Sequence, residues 1–472
     1  MKKYWVILVC LVVAGLLLLI RFTAYEPIGY SISNYDTDAY IAAGRIPFFA
    51  AEFFTSNRPP TIGLLYKVLE PSTGYQVTAL SSPAEDIYKP LAIQPGLDRV
   101  AFAQSLLSIA GWVLLAVVVA RRLVNPGLQI LAVLLILAFG FSPAVVEWDY
   151  ILLSEPLSLS LFAVFLAISI ELTPKLIDFG GDRNSWITPL VVGWFSVLVL
   201  WVFARDSNAY LLPIFILGII ALLVVQKIVK NVSLPKTQIL VVGLISLAFL
   251  FLVHNFTFQK SDRWINPFFN NMIQNILPYP DRISFFENMG MPFNDEVLAL
   301  RNTSVNTNKD QLFKIPELMS WLTSHGTGPY IKFMIAYSDW TIKTLVSGVE
   351  FSFSENRQPF FFPSSNQILP VLTYISDFFH PKTSSVVWVG LVEMVVLGFL
   401  AIYKKEAVSI GLFLLFGILF LGEFLMLIVS ILGDASSIVR HAIGPVTFFR
   451  LSVWLLPMFI LDLVGLHSNS GT

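Results

Sequence analysis

The chain opens Met1-Lys2-Lys3-Tyr4-Trp5-Val6-Ile7-Leu8-Val9-Cys10-Leu11-Val12-Val13-Ala14-Gly15-Leu16-Leu17-Leu18-Leu19-Ile20-Arg21. No charge interrupts the stretch between Lys3 and Arg21. An apolar run of roughly 18–20 residues matches the hydrocarbon core of a bilayer. Two lysines, an apolar run and an arginine also resemble a secretory signal, but no small-residue cleavage pattern of the A-x-A kind follows. The segment reads as an uncleaved first membrane helix.

Further runs of the same character lie at about 103–120, 128–143, 151–171, 187–204, 209–226, 238–254, 386–403, 408–431 and 445–463, giving about ten spans in all. Of the 472 residues 56% are hydrophobic and only 13% charged. A soluble chain carries about 25% charged residues. The 40 Phe and 11 Trp suit lipid contact and interfacial belts. The expected fold is an all-α polytopic membrane protein. A net charge of -1 gives no case for a nucleic-acid partner. With Cys10 as the lone cysteine, neither an intrachain disulfide nor a cysteine metal site forms.

With the N-terminus in the cytoplasm and the spans alternating, the cytoplasmic connections hold Lys2, Lys3, Arg121, Arg122, Lys175, Arg183, Lys227, Lys230, Lys236, Lys404 and Lys405. The short external connections hold almost no basic residue besides Arg205 and Arg440. That is the asymmetry of the positive-inside rule. Two long segments then face outward, about 22–102 and 255–385, each reading as short amphipathic helices on the external surface. The chain divides into an N-terminal transmembrane module, 1–254, an external cap, 255–385, and C-terminal transmembrane helices, 386–472. Asn255-Phe256-Thr257 and Asn302-Thr303-Ser304 read as external glycosylation sequons.

The unusual polar residues fall on the external side. Asp36 and Asp38 lie in Asn34-Tyr35-Asp36-Thr37-Asp38-Ala39-Tyr40, and Arg58 precedes Pro59-Pro60. Glu147, Asp149 and Glu155 lie between the third and fourth spans; Arg205-Asp206 ends the fifth, and Arg440-His441 precedes the tenth. Each has a plain structural reading. Asp36 and Asp38 suit helix caps or turns. Glu155 before Pro156 suits a helix start. Arg205 and Asp206 could pair with each other, Arg440 could snorkel to headgroups, and His441 could be a structural hydrogen-bonder.

Taken together they fit a reaction. Charges at membrane depth usually face a cavity or a partner. An acid can take a proton, and arginines hold phosphate through charge-assisted, bidentate hydrogen bonds. That set suits attack by a hydroxyl or amine on a phosphate-activated group. No G-x-S-x-G elbow, GxxxxGK[ST] loop or H-E-x-x-H pair is present. Glu393 and Glu423 lie within the eighth and ninth apolar runs and carry the competing reading, a transporter or flippase of a lipid-linked or small substrate.

The order and sidedness of these motifs resemble the polytopic GT-C glycosyltransferases that use polyprenyl-phosphate-linked sugars, and within them the protein O-mannosyltransferase and aminoarabinose-transferase branch. The resemblance rests on Asp36-Thr37-Asp38-Ala39-Tyr40 after the first span, Asn57-Arg58-Pro59-Pro60, Ser154-Glu155-Pro156, Arg205-Asp206 and Arg440-His441. It implies an inverting transferase with an extracytoplasmic active site, a polyprenyl-phosphate sugar donor, and a glycan, lipid or protein acceptor. It implies Asp36 as catalytic base. Because Thr37 stands where the family often has Glu, Asp38 is the other candidate base. Glu155 would orient a substrate. Arg58, Arg205 and Arg440 would bind the donor phosphate, with His441 beside them. No cofactor is indicated; metal use occurs in the superfamily, so a divalent metal stays open. An oligosaccharyltransferase of the large type, with a soluble C-terminal domain, is not expected.

Overall fold

The computed structural model describes residues 2–33, 36–69, 92–93, 96–177, 187–228, 236–301, 303, 311–358 and 369–465. Each of the ten apolar runs forms a helix. In chain order the helices are α1 (Lys2–Thr23), α2 (Thr37–Arg45), α3 (Ala51–Phe54), α4 (Pro60–Leu69), α5 (Asp98–Arg122), α6 (Pro126–Gly140), α7 (Pro143–Asp149) and α8 (Glu155–Ile177). Next come α9 (Ile187–Val202), α10 (Leu211–Ile228), α11 (Thr237–Lys260), α12 (Ile265–Asn271), α13 (Pro280–Glu287), α14 (Asp295–Leu298), α15 (Pro316–His325) and α16 (Gly328–Ala336). The last are α17 (Ser338–Phe353), α18 (Pro370–Phe379), α19 (Ser385–Lys404), α20 (Ala407–Gly433), α21 (Ile438–His441) and α22 (Ile443–Gly465). The chain is an all-α polytopic membrane protein; its only paired strands among the described residues are Ile32–Ser33 with Ala92–Ile93.

Among the described residues, 8 helices are long and apolar enough to cross a bilayer, fewer than the expected ten. Two runs account for the difference. Helix α6 stops at Gly140, and the chain bends by 53° into α7. Pro143 opens α7 at a position where its missing N–H costs nothing. Gly140 lies against the Trp112 ring with no room for a Cβ. The bent pair counts as a ninth span if it crosses as one unit. Helix α9 has 16 residues. At 1.5 Å per residue it reaches ~24 Å, short of the ~30 Å core.

Helices α5 and α8 form the centre of the bundle. Gly111 lets them approach closely; a Cβ there would sit 2.9 Å from the Ser160 carbonyl oxygen. The Phe165 and Trp201 rings stack at 5.5 Å beside them. Peripheral helices turn Leu11, Phe249, Trp388 and Phe399 outward, where lipid replaces water as solvent.

The two ends of the bundle differ. At one end Arg122 Nε donates to Glu171 at 2.9 Å and Lys175 pairs with Glu171 at 2.6 Å. There the Asp462 carboxylate accepts the backbone N–H groups of Val124 and Asn125 at 3.0 and 2.8 Å. Lys404 bonds the Leu463 carbonyl at the same end. Arg183 and Lys230 lie outside the described residues. The other end carries α2–α4 and a second apolar core, built from Trp264, Phe269, Phe286, Leu318 and Phe333 among others. Helix α11 runs on to Lys260, so Asn255 and Thr257 are helical rather than part of a loop. Asn302 and Ser304 lie outside the described residues.

Candidate functional site

Asp36 stands at the N-cap position of α2, yet its side chain makes no capping bond. The carboxylate reaches away from the helix. Arg58 Nη2 donates to Oδ1 at 2.7 Å, and Arg440 Nη2 lies 2.7 Å from Oδ2. Pro60 starts α4 just after Pro59, and Arg58, ahead of both, lays its guanidinium over the Tyr40 ring at 4.8 Å.

Glu155 is the first residue of α8, and its side chain is 0% exposed. Arg440 Nε donates to Oε1 at 2.6 Å, and Arg205 Nη2 lies 3.4 Å from the same oxygen. Ser154 Oγ donates to Oε2 at 3.3 Å, and the Tyr40 hydroxyl donates to Ser154 at 3.4 Å. Arg440 therefore bridges two carboxylates and does not snorkel. Arg205 also reaches His441 Nδ1 at 3.4 Å. Guanidinium only donates, so Nδ1 presents its lone pair and Nε2 carries the hydrogen toward Asp434 Oδ2, 3.3 Å away.

The result is one alternating network, running from Asp434 through His441, Arg205, Glu155, Arg440 and Asp36 to Arg58. Burial favours a protonated Asp36, but Arg440 and Arg58 outweigh it and hold the carboxyl well below its ordinary range. Burial disfavours the charge on Arg440, and Glu155 and Asp36 reverse that and push its pKa well up. Asp434 is lowered in the same way: burial opposes its charge, and hydrogen bonds from His441, the Ser436 backbone and Asn270 prevail.

Asp36, Arg58, Glu155, Arg205, Arg440 and His441 thus meet at one end of the bundle. Asp38 does not join them. It lies in the first turn of α2 with its side chain exposed, and no ion pair to it is found among the described residues. Asp206 does not pair with Arg205. It pairs instead with Arg263 Nε at 2.9 Å and His254 Nε2 at 3.3 Å. Glu147 and Asp149 belong to separate buried pairs. Arg357 Nε donates to Glu147 at 2.8 Å, and Arg21 donates to Asp149 at 3.1 Å. Glu393 and Glu423 sit in α19 and α20, and one carboxylate oxygen of each makes no hydrogen bond among the described residues.

Sequence reasoning missed three supports of the network. Asn270 Nδ2 donates to Asp434 Oδ1 at 2.8 Å, and the other oxygen of Asp434 faces His441. Arg263 Nη1 donates to the Ser56 carbonyl at 3.0 Å, two residues before Arg58. The available signal was polar residues beside span ends, which His254, Arg263 and Asp434 all satisfy. Among the described residues no group of three or more His, Cys, Asp and Glu could hold a metal ion.

No protein-family model matches the chain, and no curated protein matches it. Among solved structures, the archaeal oligosaccharyltransferase AglB from Archaeoglobus fulgidus, in complex with an inhibitory peptide and a dolichol-phosphate, aligns at 12% identity. Its TM-score is 0.42, with 99% of this chain and 52% of that chain covered. The apo form of the Archaeoglobus fulgidus oligosaccharyltransferase aligns at 11% identity and TM-score 0.46, covering 100% of this chain and 52% of that one. The chain spans about half the length of these structures. A likeness this distant says nothing of this chain's activity.

Proposed function

We propose that the chain is an integral-membrane, inverting glycosyltransferase of GT-C type that takes its sugar from a polyprenyl-phosphate donor. The observation that carries this reading is the contact of three arginines with two carboxylates, Asp36 and Glu155, where helix ends meet. Arginine forks fit phosphate oxygens as well as carboxylates. In the proposed reaction an acceptor hydroxyl or amine attacks the anomeric carbon as the bond to the donor phosphate breaks. The phosphate leaves with the bonding electrons, stabilised by Arg58, Arg205 and Arg440. Asp36 receives the acceptor proton. Glu155 holds Arg440 and Arg205 in place. The Lys/Arg asymmetry supports an extracytoplasmic site.

The test is transfer from a defined polyprenyl-phosphate sugar by the full-length protein in membranes. Wild type should form product of inverted anomeric configuration and release polyprenyl phosphate, and Arg440→Ala should not. Equal turnover in the two would remove the network from the chemistry. The unbonded carboxylate oxygens of Glu393 and Glu423 favour a second reading, a transporter. It predicts loss of function in Glu393→Gln and Glu423→Gln with Asp36→Asn unaffected.

A further inference from the structure

The network holds a conflict. An aspartate gripped by two guanidiniums is a weak proton acceptor. The arginines meant for phosphate are also occupied: Asp36 takes Arg58 and Arg440, and Glu155 takes Arg440 and Arg205.

The two shared carboxylates are not held alike. Glu155 is 0% exposed, and Arg440, Arg205 and Ser154 all reach it. Displacing it would strand a buried charge, which is strongly unfavourable. Asp36 is 25% exposed and Arg58 24%, and they meet only through side-chain tips. Arg58 Nε has no hydrogen-bond partner among the described residues. Arg440 keeps its Nε bond to Glu155 whatever its Nη2 does. Asp36 is therefore the exchangeable partner.

Resting on the transferase reading, we propose that the donor phosphate exchanges with the Asp36 carboxylate at Arg58 and Arg440, so that seating the leaving group releases the base. The exchange is one anion for another at the same donors, and no bond is made or broken. Once freed, Asp36 loses the charges that depress its basicity and faces the acceptor. Donor binding then precedes deprotonation of the acceptor.

Binding, read without turnover, tests this. Farnesyl phosphate and farnesol are titrated against the purified full-length protein in nanodiscs, for wild type, Asp36→Asn and Arg58→Ala. Removing the competing carboxylate should tighten farnesyl phosphate several-fold in Asp36→Asn and leave farnesol unchanged. Arg58→Ala should weaken farnesyl phosphate. Unchanged or weaker phosphate binding in Asp36→Asn overturns the exchange, as does an equal gain with farnesol. If wild type and Arg58→Ala bind farnesyl phosphate alike, the arginine clamp itself falls, and the transferase reading with it. Should Asp36→Asn not fold, Asp36→Ser removes the same charge and is read the same way.

Discussion

Asp36 carries two consequences that differ in their measurement. As the proposed base it would supply a factor typical of positioned proton acceptors, ~10²–10⁴ in rate. Asp36→Asn should lose turnover of that order, checked in the membrane transfer assay. As an ion-pair partner Asp36 also contributes to stability, and the sign follows from its depressed pKa. The folded value lies below the unfolded value of ~3.9, so the contribution is full above that pH and fades as pH falls through the folded value. The unfolding midpoint of Asp36→Asn should therefore fall short of wild type near neutral pH, and the gap should close in acid below about pH 4. A constant gap would mean that the carboxylate charge is not what stabilises the fold. Arg440 makes a third case. It meets Glu155 through Nε and Asp36 through Nη2, a fork that lysine lacks. Arg440→Lys should insert normally yet lose most transfer, measured as turnover per folded protein.

Short elements position these side chains. The turn 56–58 has little core of its own and is fastened by Arg263, whose side chain is 5% exposed between Asp206 and the Ser56 carbonyl. Removing that fastening should loosen Arg58 without touching its side chain. Arg263→Ala should weaken farnesyl phosphate binding less than Arg58→Ala does, and the double variant should be no worse than Arg58→Ala alone. Additive losses would show that Arg263 acts elsewhere. The bend between α6 and α7 depends on Gly140 as closely. A side chain there must displace the buried Trp112 ring. Overpacking of this kind costs ~1–3 kcal/mol. Gly140→Val should lower the unfolding midpoint accordingly, with Phe139→Leu as a milder comparison. The helices themselves were legible from apolar runs. The bend was not, because the run at 128–143 continues in composition across a break made by packing against α5. Asp38 shows the same limit at finer grain. It sits two residues from Asp36 and is equally acidic, but helical geometry turns it outward while Asp36, just before the helix, points in.

For the whole molecule, sidedness is the remaining expectation. In a Cys10→Ala background, cysteine at the exposed Thr323, beside the second core, should react with an impermeant thiol reagent from outside. Cysteine at the exposed Lys405, at the basic end, should react only after permeabilisation. The reverse pattern would put the arginine network in the cytoplasm. The sequence alone determined the class of fold, the positions of the apolar helices and the end at which the unusual charges gather. Span length, apolar composition and basic loops are local properties, each read within about 20 residues. It also nominated six residues that meet in the network, because each stands at or beside a helix end on the side away from the basic loops. Tertiary structure alone decided who pairs with whom. It joined Arg440 to Glu155 across 285 residues, gave Asp206 to Arg263 rather than Arg205, and set Glu147 and Asp149 apart in pairs of their own. The physical reason is that a buried charge accepts whichever counter-charge helix packing brings within hydrogen-bond reach, and that packing is summed over the entire bundle.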